Sequence, residues 1–570
     1  MTMRVLFTTM LMCFLTQAVF AESALWQGNV SGVWDTSALN WTRGGVPSRA
    51  YQDGDDTIFD NSAAIFTVTS TGTNAPASVL VTNTTTYAIS AAIGGAGALT
   101  KAGSGVVTLS GTNAYSGGTV ISGGTLRVSA DHSLGSAGTA ITFDGTGMLE
   151  NDKGSMIDLG ARPIVLNENA VGTLRTGRSE GFTTTGAITG SGTLTISDWG
   201  NSYQYINLLS PNHTFTGPLH ISGGNVFVSL ASLVDSTNAI SLIGRCQLTY
   251  SGTGALTLDN RTIVLSGSAT LKNASANPMT VNTDVTISGT GNKSLALSGT
   301  GVLNGSIDED AATLAVSSHN SWSLAGSNRW NGATTIESGT LAFLGPDAMP
   351  TNSKVVLKRS TVFSIRTDEA GSVNLGNAFG VAPIDTSSGV ISQHSIDVRN
   401  NGGGTTGSTI VLGTVDLSTG DMRANRQINV RGGNGYILQV GDVRMSPNLR
   451  GTATGGPNRF NPSSASMIIA GTVKQVDGDT GSSTTDNTLY LGGTMSGNAV
   501  SGIIADADDY TSGSNANANA LNVYKGDTGE WTLTGINTYS GTTTINGGLL
   551  QVDGSITSTN VIVSSGGALG

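Results

Sequence analysis

The sequence predicts an all-β fold, a right-handed parallel β-helix (β-solenoid) that is elongated and closed at its N-terminal end by a Trp-rich cap. Three observations lead there. One segment recurs in four copies with strand alternation. A glycine pair inside it resets which face of the chain is apolar. The composition, 38% hydrophobic but only 11% charged and 5% aromatic, with 80 glycines in 570 residues, suits many short strands and tight turns.

The first copy is "LSGTNAYSGGTVISGGTLRV", residues 109–128. The others are "LSPNHTFTGPLHISGGNVFV" (209–228), "LAGSNRWNGATTIESGTLAF" (324–343) and "LTGINTYSGTTTINGGLLQV" (533–552). They align without gaps on Leu109, Leu209, Leu324 and Leu533, on the aromatics Tyr115, Phe215, Trp330 and Tyr539, and on Ile121, Ile221, Ile336 and Ile545. A degenerate fifth copy is suggested at 428–440, "INVRGGNGYILQV", without the upstream aromatic.

Within the first copy Val107, Leu109, Gly111, Tyr115, Thr119 and Ile121 share one parity, which is the period of a strand. After Gly123-Gly124 the parity flips to Leu126 and Val128. A glycine pair that changes parity is a corner between strands, because glycine tolerates φ > 0. By the same reasoning Gly547 is expected to hold φ > 0.

Sandwich, propeller and solenoid all use many short strands. The unequal intervals between copies argue against propeller blades, whereas a solenoid coil has only to match its neighbours. Coils of roughly 20 to 25 residues would build a rod on the order of 100 Å long. After the opening segment no stretch repeats apolar residues with helical period.

The start, "MTMRVLFTTMLMCFLTQAVFAES", reads as a secretory signal over 1–21, with Arg4, an apolar run and a small-residue cleavage site ending at Ala21. Cys13 leaves with it, so Cys246 alone cannot form an internal disulfide. Net charge is -11, the acidity is thinly spread, and no basic block stands out, so nucleic acid is excluded as a partner. Residues 22–62 carry Trp26, Trp34 and Trp41, expected to cap the first coil rather than stack on sugar. Residues 63–570 are then the β-helix, with repeat regions near 97–128, 197–228, 312–343 and 526–552.

Chemistry is scarce. Carboxylate groups occur at Asp308-Glu309-Asp310, at Asp506 with Asp508 and Asp509, and at Asp477 with Asp479. Paired carboxylates serve glycan cleavage when their environments separate their pKa values, but these lie in polar turn-like stretches. "DGDDT" (53–57), "DGDTG" (477–481) and "DADDY" (506–510) offer oxygen ligands for Ca²⁺ without completing a known loop. His132, His213, His220, His319 and His394 form no metal-spaced pair. No catalytic residue, metal ligand or cofactor is therefore assigned, and the chain is expected not to be an enzyme.

The stretches "GALTKAGSGVVTLSGTNAYSGGTVISGGTLRV" (97–128) and "GDTGEWTLTGINTYSGTTTINGGLLQV" (526–552) resemble the autotransporter-associated β-strand repeat, also called the passenger-associated transport repeat. The copies led by Leu209 and Leu324 are looser, with Pro211 and Ser338 in place of glycine. "ALWQGNVSGVWDTSALNWTRGG" followed by "DGDDTIFD" is similar to the family's opening. The resemblance implies a secreted or surface-displayed passenger whose repeats assist export and folding and whose coils serve display or adhesion, with host or glycan ligands and no defined oligomer. The family's C-terminal outer-membrane β-barrel is not recognisable before Gly570, so a periplasmic product is expected if the chain stops there. The alternatives are a β-helix lyase or hydrolase acting on polysaccharide, and a carbohydrate-binding surface protein.

Overall fold

The computed structural model describes residues 21–570 apart from 177–180, 199–203, 234, 309–313, 352, 378, 382–391, 418–425, 446–457, 476–486, 507–519 and 559. The signal segment, up to residue 20, lies outside the described residues. Two compact units divide at Thr193 and Leu194. Each is a parallel β-solenoid, and the only helical elements among the described residues are the single 3₁₀ turns Asp131–Leu134 and Pro346–Ala348.

The first unit opens with Ser23–Trp26. This strand pairs parallel with Asp56–Phe59 on one edge and antiparallel with Trp41–Arg43 on the other. Trp41–Arg43 in turn pairs antiparallel with Val46–Arg49. This local reversal ends the parallel stack, which would otherwise present a free edge to other chains. Beneath it Trp26, Trp34, Trp41, Tyr51 and Phe59 are fully buried, with ring centroids 5.0 Å apart for Trp26 and Trp41 and 5.4 Å for Trp34 and Tyr51. The tryptophans cover the end of the core, as expected, and offer no face to a sugar.

From there the coils stack in register. Val79, Leu99, Thr119, Ile141, Ile164 and Ile188 pair in succession, each step advancing by one short coil. The parity flip is present: in Thr119–Val128 the buried residues are Thr119 and Ile121 before the glycine pair, then Leu126 and Val128 after it.

In the second unit the strands again pair with their counterparts in the next coil. The Leu194, Leu219, Ile240, Ile263, Val285 and Ile307 column keeps the short spacing. The Val355, Phe379, Val415, Val443 and Val473 column does not, and its widest step runs from Phe379 to Val415. Val523, Thr543 and Val561 return to the short spacing. The coil length expected from the sequence therefore fails in the middle. The extra residues fall between the same two strands: Val355–Leu357 leads almost at once into Thr361–Arg366, whereas Val443–Met445 and Asn458–Pro462 are further apart in the sequence. A solenoid accepts unequal spacing because the flanking strands still match their neighbours.

Candidate functional site

Each repeat concentrates its polar residues at the turn that carries its aromatic. Asn113, Asn328 and Asn537 occupy one aligned position and are all buried. Asn113 Oδ1 accepts the Ile93 amide at 2.9 Å, one coil back, and Nδ2 donates to the Ser133 carbonyl at 2.7 Å, one coil on. Asn328 joins Ile307 (2.8 Å) to Ala348 (2.6 Å), and Asn537 joins Ile504 (2.9 Å) to Ser555 (3.0 Å). A side-chain amide has both an acceptor and two donors, so one residue satisfies backbone groups on both sides. Buried backbone groups need such a partner. The asparagine is a staple through three coils.

Two residues beyond, the aromatic is tied to a threonine four positions later. Tyr115 and Thr119 hydroxyls lie 2.7 Å apart, as do those of Tyr539 and Thr543, and Trp330 Nε1 donates to Thr334 Oγ1 at 2.9 Å. In the second copy both polar partners are gone together: Phe215 and Leu219 stand at these positions, and both are buried. Its asparagine position is His213, buried, with Nε2 3.2 Å from the Leu208 carbonyl. Burial holds the His213 pKa below its ordinary value.

A buried lysine completes the two best-matched copies. Lys525 Nζ donates to the carbonyls of Gly526 (2.6 Å), Asp527 (3.1 Å) and Gly547 (2.9 Å), and Lys101 to those of Gly103 and Gly123. Burial lowers both pKa values to about 8. The left-handed residue of each corner is the second glycine, Gly124 and Gly548, each at φ 65°. Gly547 is not left-handed, contrary to expectation: the bend into the new face falls one residue later, where the carbonyl of the first glycine is already turned to the lysine.

Two buried arginines extend the design. Arg162 is fully buried, pairs with Asp131 and donates to the carbonyls of Leu134, Ser136 and Thr139. Arg261 does the same for the carbonyls of Phe215, Gly217 and Asn238. Sequence reasoning passed over both. Their shared context, "ARPIVL" (161–166) and "NRTIVL" (260–265), was the available signal.

Of the carboxylates singled out in the sequence for glycan cleavage, Asp308 and Asp506 are the described ones. Asp506 accepts the Leu521 amide at 2.8 Å and that of Ser540 at 3.0 Å, so it ties backbone. Asp308 is exposed at the end of Ile307–Asp308. Glu309, Asp310, Asp477, Asp479, Asp508 and Asp509 lie outside the described residues. In "DGDDT" Arg43 grips Asp55 through two nitrogens at 2.6 and 2.9 Å, Asp53 accepts the Ala75 amide, and Asp56 accepts the Ser78 hydroxyl. Those oxygens are engaged by protein donors. Among the histidines, His213 and His394 are buried, His220 is half-buried, and His132 and His319 are exposed. Cys246 is a buried free thiol whose pKa burial pushes up to about 12.

Fold and corner together define a parallel β-solenoid in which one stapled corner recurs. Residues 99–128, 320–343 and 523–552 match the family described as Passenger-associated-transport-repeat. The copy led by Leu209, where the staple and the aromatic–threonine pair are replaced, falls outside the match. Over 260 residues the chain is 28% identical to the Adhesin BmaC autotransporter of Brucella suis biovar 1 (strain 1330), a similarity covering 40% of this chain and 7% of that protein. The repeats and this similarity are those of an autotransporter passenger. The chain thus corresponds to a small part of the length of that relative. No solved structure matches.

Proposed function

We propose that this chain is a non-catalytic passenger, exported by an autotransporter system, in which the repeats help the solenoid fold once outside and the remaining coils serve adhesion. The reading rests most on the staple. Three copies, spread along the chain, repeat one buried device that holds neighbouring coils together without adding any reactive group to the surface. A chain emerging coil by coil gains from such local, nearest-neighbour stabilisation. The similarity to a protein named as an adhesin points the same way.

The test joins the chain to an outer-membrane β-barrel in a host bacterium and measures surface exposure by external protease and adherence to cultured cells. Display with adherence above the barrel-only control is expected, and display with no adherence to any surface overturns the adhesive role. Incubation of the purified chain with polysaccharides, with and without Ca²⁺, should release no product. Turnover lost on Asp308→Asn would mean that the chain is an enzyme instead.

A further inference from the structure

Residues 350–475 contain 12 Lys and Arg against 7 Asp and Glu, in a chain with 27 against 38 overall. The charge is therefore not thinly spread, as the composition suggested, but segregated: a cationic stretch lies within an acidic chain. Strand register places four of these cations, Arg366, Arg399, Arg431 and Arg459, on one outer face. Arg366 stands directly opposite Arg399, Asp397 opposite Arg431, and Gln427 opposite Arg459 on successive strands of that face. Neighbouring strands are about 4.8 Å apart, so Arg366 and Arg399 lie one coil apart, and Arg431 follows on the next coil, displaced by two residues along the strand.

Like charges directly opposite on paired strands destabilise a sheet. Here one carboxylate, Asp397, is shared by Arg399 and the Ser364 hydroxyl, while Arg366 reaches only the Ser364 hydroxyl at 3.4 Å. Arg431 is exposed and makes no ion pair among the described residues. Arg399 keeps 44% of its side chain exposed. Beside the arginines runs an ordered row of amides: Gln427 and Asn461 both donate to Asn429 Oδ1, at 2.7 and 2.8 Å.

We infer that this outer face, Arg366, Arg399 and Arg431 with the amides Gln427 and Asn461 held in place by Asn429, binds an acidic polysaccharide, a ligand class that deepens the adhesive reading above and rests on it. The guanidinium row supplies bidentate donors for carboxylate or sulfate groups, and the amides supply partners for sugar hydroxyls. Single-stranded nucleic acid needs free aromatic faces on which to stack. The nearby tyrosines do not give them: Tyr490 and Tyr524 stack on each other at 4.7 Å, and Arg459 covers Tyr490 at 4.3 Å. A lipid surface would want apolar side chains among the cations, and the outward positions between these arginines hold amides, hydroxyls and the Asp397 carboxylate instead.

The test measures binding of the purified chain to heparin (sulfated), polygalacturonate (carboxylated), dextran (neutral) and duplex DNA. Salt-sensitive binding to one or both acidic glycans is expected, with heparin alone indicating sulfate recognition and polygalacturonate alone carboxylate recognition. The triple variant Arg366→Gln/Arg399→Gln/Arg431→Gln should lose about tenfold or more in affinity, and Arg245→Gln/Lys272→Gln, on other coils, less than about twofold. Arg431→Gln alone, which breaks no internal ion pair, should cost about threefold and guards against a misfolded triple variant. Absence of binding to both acidic glycans, equal binding to dextran, an equal loss in the control variant, or DNA binding as tight and as sensitive to the triple variant each overturns the inference. If the displayed triple variant still adheres to cells, this inference fails and the adhesive role stands. If the wild-type chain binds glycan yet never adheres, the reverse holds.

Discussion

The coil built from Leu521–Lys525, Glu530–Leu533 and the following repeat strands differs from the coils between Val415 and Gln475 in where it places its polar residues. In the repeat coil Lys525, Asn537 and Thr543 are all fully buried and bonded to their surroundings. In the long coils the strands Arg426–Gly432 and Asn458–Pro462 set Gln427, Asn429, Arg431 and Arg459 on the outer side, over an inner row of Ile428, Val430 and Phe460. The difference teaches a division of labour. The repeats use polarity to hold coils together, and the long coils, which bury Arg426, Asn458 and Gln475 as well, also carry it where a partner can meet it.

Substitutions in the repeat should therefore cost stability, and those on the outer arginines should not. The largest effect is expected for Gly548→Val. A side chain there is strained at φ 65° and its Cβ would press on the Gly529 carbonyl, so a loss of about 3 kcal/mol or more is expected. Thr544→Val, on the outward side of the preceding strand, should change stability by about 0.5 kcal/mol or less. Equal thermal shifts for the two would remove the corner from the account.

Asn537→Ala comes next. It leaves the buried Ile504 amide without its partner, at about 1–3 kcal/mol, and removes the bond to the part-buried Ser555 carbonyl. Asn429→Ala, which loses two half-buried side-chain partners and a longer bond to the His394 carbonyl, should cost less. Urea unfolding of the two variants makes the comparison.

A double-mutant cycle sharpens the matched change in the second copy. Phe215→Tyr alone should destabilise by burying a hydroxyl against Leu219. Adding Leu219→Thr should restore about 1 kcal/mol through the pair seen in Tyr115 and Thr119. Additive effects would mean that the aromatic and the residue four places on do not act together.

The smallest effect is a pH dependence. The buried lysines Lys101 and Lys525 have folded pKa values of about 8, below their ordinary value. The folded state thus gives up these protons before the unfolded state does, and stability should rise as pH increases above about 8. Above about 10 the buried tyrosines oppose it, because burial raises the Tyr115 and Tyr539 pKa values and only the unfolded chain ionises there. Melting temperatures between about pH 7.5 and 9.5 should climb for the native chain and flatten in Lys101→Met/Lys525→Met.

Much of the fold was legible because burial of one face imposes a two-residue period. Leu126 and Val128, opposite in parity to Ile121, carry the corner in the sequence itself. Coil length was not legible in the middle, since chain added between two strands leaves the flanking strand pattern unchanged. Lys101 shares parity with Leu99 and Leu109, so its inward direction was written in the sequence, but a charged residue invited an outward reading. The aligned asparagines were visible as positions but not as staples, because their partners lie a full coil away on either side. The arginine face was hidden for a related reason. Arg366, Arg399 and Arg431 meet only once unequal coils are laid in register.

Native-state hydrogen exchange on the full chain tests the division of labour most directly, since it reads local stability coil by coil. The amides of Val523, Ile545 and Leu550 should exchange more slowly than those of Ile428, Val443 and Phe460, and Asn537→Ala should erase that difference while leaving acidic-glycan binding intact. Slower exchange in the long coils than in the repeat coils, or an unchanged pattern in Asn537→Ala, would contradict the claim that the repeats are what hold this solenoid together.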